Sequence, residues 1–220
     1  VNRAALRLPA ALLAGGLLLG ACTAAEEDDG AAASPSSGHE HGGVVVESPD
    51  DQFAGLDLPD PYQRPSFTLT DTSGASFDFT GQTAGRPTLL FFGYTTCPDI
   101  CPTTMADVAL ALRRLDPAVA EQVQMVFVTT DPATDTPEVL ADYLDGFDAD
   151  LPISFVGLTG DQGSIDRAQL SAGVPLAEDQ GRLHSTLLLL YGADDEAHVA
   201  FDGGNTAADI AGDIATVVGQ

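Results

Sequence analysis

Downstream of Tyr62 the hydrophobic positions switch between two periods. Ser66–Thr70 and Ser76–Phe79 alternate apolar and polar residues on either side of Ser73-Gly74, a hairpin pattern. Thr88–Tyr94 and Val123–Thr129 are continuous apolar runs, as expected of central strands buried on both faces, and Ile153–Leu158 predicts a third strand. Met105, Val108, Ala109, Leu112 and Leu115 recur at helical spacing and predict a helix from Pro102 to about Leu115. Thr136 followed by Pro137 opens a helix to about Phe147. Thr159 with Gln162 fits a capping box for a helix to about Ala172. Thr186–Tyr191 and His198–Phe201 predict strands around the turn Gly192–Glu196, and Thr206 caps a last helix to about Val218. The order hairpin, β, α, β, α, β, α, β, β, α predicts an α/β domain: a mixed sheet flanked by helices, with an N-terminal β-hairpin. There is no internal repeat and no glycine-rich phosphate loop.

The first sixty residues follow another pattern. Arg3 and Arg7 precede an apolar stretch, Leu8–Leu19, that is broken by Pro9, Gly15 and Gly16. That stretch is short for a membrane span, which needs about 20 residues, and suits a signal peptide. It ends in Leu19-Gly20-Ala21-Cys22, the pattern of a bacterial lipobox, in which the Cys is lipidated and becomes the first residue. Residues 1–21 are therefore expected to be a signal peptide, with Cys22 the lipidation site. Residues 22–61 are rich in Glu, Asp, Ala, Ser, Gly and Pro and are expected to form an acidic flexible linker spanning roughly 35 Å root-mean-square. The globular domain is expected over 62–220, held by a lipid anchor at the extracytoplasmic face of a bacterial cell membrane. His39-Glu40-His41 in the linker is a small metal-affine cluster, read as a solvated polar tract.

Charge narrows the partners. The 220 residues carry 33 acids against 8 basic side chains, all Arg, for a net charge of −25. Such a chain repels phosphate backbones, which excludes sequence-independent nucleic-acid binding, and it offers no basic patch to an anionic membrane.

Three cysteines are too few for a disulfide scaffold, and a lipidated Cys22 leaves two thiols, Cys97 and Cys101. They lie at a strand-to-helix junction, each followed by Pro, which disfavours αR geometry at both. Pro102 suits the first helical position, with Cys101 at the N-cap, where helix amides favour a thiolate. Two thiols at this spacing can close a disulfide or clamp one soft metal. On these grounds Cys101 is the more thiolate-like, exposure favours Cys97, and the order of reactivity stays open.

The segment Gly93-Tyr94-Thr95-Thr96-Cys97-Pro98-Asp99-Ile100-Cys101-Pro102-Thr103-Thr104 resembles the signature of the Sco/SenC family. Val128-Thr129-Thr130-Asp131-Pro132, Asp135-Thr136-Pro137, Gly157-Leu158-Thr159-Gly160 and His184-Ser185 resemble further family blocks. The resemblance implies a thioredoxin-like fold and copper, Cu(I) or Cu(II), held by Cys97, Cys101 and His184, with Cys97 and Cys101 able to form a disulfide. It also implies copper delivery to the dinuclear copper site of cytochrome c oxidase, so the oxidase's copper-site subunit is the implied partner. Another extracytoplasmic copper chaperone or a thiol reductant are further partners.

Such a ligand set makes chemical sense. Thiolates select Cu(I), imidazole tolerates both copper states, and three ligands leave a position open, whereas a structural zinc site wants four. Of the two imidazoles in the globular part, His198 follows Asp194-Asp195-Glu196 in an expected surface hairpin, and His184 falls just before a buried strand, where the implied thioredoxin-like fold brings a loop beside the cysteine turn. The family often has Asp before this His; Leu183 stands here, which weakens expected support for the ring. Asp131 and Asp135 are expected to serve loop hydrogen bonding and capping, not metal. Two other functions stay open: a thiol–disulfide oxidoreductase that reduces the oxidase's copper-site cysteines, and a copper buffer or sensor. Against the oxidoreductase stand the Cys-x3-Cys spacing and Ser185-Thr186 where redox relatives place a cis-Pro.

Overall fold

A computed structural model describes residues 52–179 and 181–219. The signal-peptide and linker expectations for residues 1–51, including Cys22, His39 and His41, lie outside the described residues.

The strands are β1 (Leu56–Gln63), β2 (Thr68–Asp71), β3 (Ser76–Asp78), β4 (Thr88–Gly93), β5 (Gln124–Thr129), β6 (Val156–Thr159), β7 (Leu188–Tyr191) and β8 (Glu196–Phe201). The helices are α1 (Phe79–Thr83), α2 (Ile100–Arg114), α3 (Pro117–Ala120), α4 (Pro137–Asp148), α5 (Gln162–Ser171) and α6 (Ala207–Val218). One sheet runs β1-β8-β7-β4-β5-β6-β2-β3. Its centre, β4-β5-β6, is parallel, and β7, β8 and β1 continue it antiparallel on one side. On the other side β2 pairs with β6, so the predicted hairpin β2-β3 closes that edge.

The central strands are apolar throughout because both faces are covered. Leu89 and Phe91 of β4, Met125 and Phe127 of β5 and Leu188 and Leu190 of β7 point to one face, against α2, α4 and α6. Leu90, Phe92, Val126, Val128, Leu189 and Tyr191 point to the other, against α1 and α5. Strand alternation divides each apolar run between two cores.

Several boundaries move, each for a physical reason. β1 begins inside the stretch expected to be linker. Its Pro59 and Pro61 obscure a strand, yet proline is tolerated at a sheet edge, and β1 is the edge partner of β8, with an irregular register between Asp57 and Tyr62. Just before it, the buried Asp213 of α6 accepts from the amides of Ala54 and Gly55 at 2.9 and 2.8 Å. Helix α2 starts at Ile100 with Asp99 as N-cap, two residues before the predicted start, which places Cys101 inside the first turn and not at the cap. Proline is harmless there because first-turn amides have no intrahelical partner to lose. Asp161, not Thr159, caps α5, accepting from Ser164 N at 2.9 Å; Thr159 stays in β6. Thr136 and Thr206 cap α4 and α6 as predicted, and Thr206 forms a full capping box with Asp209.

Candidate metal centre

β4 ends at Gly93 and hands the chain to a loop that turns into α2. A methyl group at Gly93 would lie 2.8 Å from Cys101 Sγ and 3.0 Å from the Phe91 ring, so only glycine lets the second cysteine reach the strand end. Asp135, fully buried, holds the loop from below. Its carboxylate accepts from Thr95 N at 3.0 Å, Thr95 Oγ1 at 2.5 Å and Thr129 Oγ1 at 2.6 Å, tying the loop to the end of β5. This is the loop-bonding role expected of Asp135; the capping belongs to Thr136.

Cys97 and Cys101 are both free thiols and both buried, Cys97 at 9% exposure and Cys101 at 0%. The expected N-cap position of Cys101 is corrected, and this bears on the order of the pair that the sequence left open. Cys97 Sγ, not Cys101 Sγ, sits over the amino end of α2, where Cys101 N donates to it at 3.5 Å. Burial pushes the Cys97 thiol up, but hydrogen bonds from the amides of Asp99 and Cys101, and from the Cys101 and Tyr94 side chains, outweigh it and hold Cys97 below the ordinary thiol value. Burial dominates at Cys101 and drives its thiol well above that value, although the Tyr94 amide opposes it. From inside the first turn the Cys101 side chain is fully buried in the core, while the free amides at the helix start reach Cys97.

The third expected ligand arrives from the connection between α5 and β7. There Glu178 and Leu183 form an isolated antiparallel bridge, N–H to O at 2.7 and 3.1 Å, and His184 follows directly. His184 Nδ1–H donates to Ser185 O at 2.8 Å, which leaves the Nε2 lone pair facing Cys101 Sγ at 3.6 Å. The exposed Leu183 plays no part in this support; a backbone carbonyl orients the ring where the family often has an Asp. Tyr94 and Phe91 meet the imidazole edge-on, at centroid distances of 5.6 and 6.2 Å. Sequence reasoning missed Tyr94 and Phe91 as the walls of the site; their position beside the cysteine loop was the available signal.

The Cys97 and Cys101 sulfurs and a His184 ring nitrogen all lie within 4.8 Å of one another, so the fold brings together all three predicted ligands. Two soft sulfurs and one imidazole with its free nitrogen inward fit a thiophilic ion such as copper, and three donors leave a coordination position open. A second grouping, Asp194, Glu196 and His198, lies in the β7–β8 turn and strand expected for it. Its donors already engage one another, His198 Nε2 standing 2.8 Å from Asp194 and 3.6 Å from Glu196. Among the described residues there is no cis peptide bond, so no cis-Pro faces the cysteines.

A mixed sheet with helices on both faces and a cysteine pair at the amino end of the helix after a central parallel strand define a thioredoxin-like domain, here carrying a two-thiol, one-imidazole centre. The SCO1/SenC family model matches residues 58–219, and the chain belongs to that family. A Stutzerimonas stutzeri protein named for copper binding is 39% identical over 150 residues, covering 66% of this chain and 71% of that one. Of mitochondrial SCO proteins from Saccharomyces cerevisiae and SCO2-like proteins from Rickettsia species, the chain spans 30–46% of the length. The copper-bound crystal structure of yeast Sco1 superposes with a TM-score of 0.63 at 28% identity, covering 73% of this chain and 90% of that one. The structure of BsSco, described as having a disulfide switch and as a member of the Sco family of cytochrome c oxidase assembly proteins, gives 0.55 at 26% identity, with 74% and 98% covered. Among the described residues no helix is long and apolar enough to cross a membrane.

Proposed function

We propose that this protein is a copper metallochaperone that carries copper in the Cys97–Cys101–His184 centre and delivers it to the dinuclear copper site of cytochrome c oxidase during assembly. The observation that carries this reading is the convergence of two thiols and one imidazole nitrogen within 4.8 Å. Copper is the cargo. Cys97 and Cys101 bind it as thiolates, so loading releases protons, most readily from Cys97. His184 supports the Cu(II) state through Nε2. It also lines an open groove of about 460 Å³ with Pro175, Leu176 and Leu183, which gives an acceptor an approach to the His184 side of the centre. A donor needs that opening, because transfer proceeds by attack of an incoming ligand. Copper in the named relatives and oxidase assembly in the BsSco description support the same reading. The Leu19-Gly20-Ala21-Cys22 pattern supports a lipid anchor at Cys22 that keeps the domain on the extracytoplasmic face, within reach of the oxidase.

Polarisation of the cysteine pair favours a second reading, thiol–disulfide exchange. Cys97 is the better thiolate and the more exposed sulfur. It would attack a substrate disulfide, Cys101 would resolve the mixed disulfide, and the products would be two substrate thiols and a Cys97–Cys101 disulfide.

The test is anaerobic copper titration of the intact protein, followed by mixing with the apo copper-site domain of the oxidase. The chaperone reading expects one copper per chain and its appearance in the acceptor. His184→Ala is expected to weaken Cu(II) binding and oxidase loading while leaving disulfide exchange intact. Full oxidase activity in a His184→Ala strain at limiting copper would overturn the chaperone reading in favour of exchange.

A further inference from the structure

We propose that Thr130 is a positioning residue that latches the His184 hairpin to the cysteine-bearing strand and so sets how firmly the imidazole is presented; this rests on the metal reading of the Cys97–Cys101–His184 centre. Thr130 is fully buried just past the end of β5. Its amide donates to Gly93 O at 2.7 Å, fastening it to the last residue of β4 beside Cys101. Its hydroxyl donates to Gly181 O at 2.8 Å and lies 3.2 Å from Gly93 O, so one proton is shared between the two segments that deliver the ligands. Gly181 lies in the Glu178–Leu183 hairpin three residues before His184, with φ at +86°. A Cβ there would stand 2.2 Å from Thr130 O, so the hairpin backbone rests directly on this residue. The His184 ring bonds the carbonyl of its own neighbour, Ser185, and stands 3.6 Å from Cys101 Sγ, so its position follows the hairpin.

Thr130 is not among the three donors Cys97, Cys101 and His184; it acts through the backbone. Thr130→Val keeps the shape and removes the shared proton, leaving the Gly181 carbonyl without its donor, a loss worth about tenfold in a local opening equilibrium. Thr130→Ser restores the donor.

The experiment compares wild-type, Thr130→Val and Thr130→Ser full-length protein by hydrogen exchange without metal and by electron paramagnetic resonance with Cu(II). Exchange of the hairpin amides in Thr130→Val is expected to rise about tenfold while β4 and β5 keep wild-type protection. The nitrogen splitting from His184 in the Cu(II) spectrum is expected to weaken, and Thr130→Ser to restore both. Gly181→Ala drives a methyl onto the Thr130 carbonyl at a positive-φ position and is expected to show the same local release, which reads the seat of the hairpin from its own side if Thr130→Val does not fold. Unchanged hairpin exchange in both variants, or equal acceleration across β4 and β5, would overturn the latch. Failure of the wild-type chain to take up copper would instead defeat the metal reading, while the exchange data would still decide whether Thr130 holds the hairpin.

Discussion

The two ends of the central strands each carry a buried polar cluster, built on opposite terms. At the start of β4 and the end of β7, Arg64 is almost fully buried with every nitrogen engaged: Nε with Asp195 at 2.6 Å, Nη1 with Thr83 at 2.9 Å, and Nη2 with the carbonyls of Arg86 and Gly192 at 2.9 and 2.8 Å. The guanidinium also lies 5.2 Å from the Tyr191 ring centroid. Burial lowers its pKa, and the Asp195 hydrogen bond and charge oppose that. At the far end, past Gly93, two thiols and an imidazole nitrogen share a pocket with few strong donors between them. A saturated cluster clamps the chain; an unsaturated one holds free electron pairs for a ligand. The difference between stability and function here lies in how completely the donors are matched.

The contrast breaks most sharply by deletion at each end. Cys101→Ala is expected to eliminate stoichiometric copper uptake, read by metal analysis, at a stability loss of about 1 kcal/mol. Arg64→Met is expected to do the reverse, leaving copper uptake intact while destabilising the fold by about 3 kcal/mol in denaturant titration, since Thr83 and two carbonyls lose a buried donor. A copper defect in Arg64→Met at full folding would show that the ends are coupled.

A smaller effect is expected from Gly93→Ala. The added methyl meets Cys101 Sγ and the Phe91 ring, so overpacking should lower stability by about 1–3 kcal/mol and weaken copper binding in the same variant. Wild-type affinity would mean that the cysteine loop can shift without losing its ligands.

The pH dependence of the thiols sharpens the metal end by itself. Cys97 has a lowered folded pKa, so its ionisation contributes stability above the unfolded thiol value and loses it as pH falls through the folded one. Cys101 has a raised pKa and contributes the opposite way: its increment is present below the unfolded value and is lost as pH rises through the folded one. Iodoacetamide is therefore expected to label Cys97 at a pH below that of an ordinary thiol and to leave Cys101 unmodified there, as read by peptide mass analysis. Equal labelling would remove the proposed asymmetry. The smallest change is expected from His198→Ala, whose ring bonds Asp194 at a half-exposed turn: copper stoichiometry unchanged and stability within about 0.5 kcal/mol.

Much of this molecule was legible because its elements obey local rules. Thr136-Pro137 and Thr206 announce helices by capping chemistry that needs no neighbours. Thr88–Gly93 and Gln124–Thr129 announce central strands because an eight-stranded sheet covered on both sides demands unbroken apolar runs. β1 was hidden because its two prolines are readable as strand only once β8 supplies the edge it lies on. The helices α1 and α3, five and four residues long, are too short to show a period.

The sequence by itself determined which atoms could hold a metal. Cysteine and histidine are rare in this chain, and their side-chain chemistry travels with the residue wherever it is placed. Only the tertiary structure decided how those atoms are tuned and oriented. Cys97 and not Cys101 receives the helix amides, because the helix begins two residues earlier than its proline marks. Ser185 O orients His184 in place of a side-chain acid, Asp135 meets Thr95 across 40 residues of sequence and Thr130 meets Gly181 across 51. Desolvation and hydrogen bonding depend on what surrounds an atom, and those surroundings exist only when distant strands close on one another.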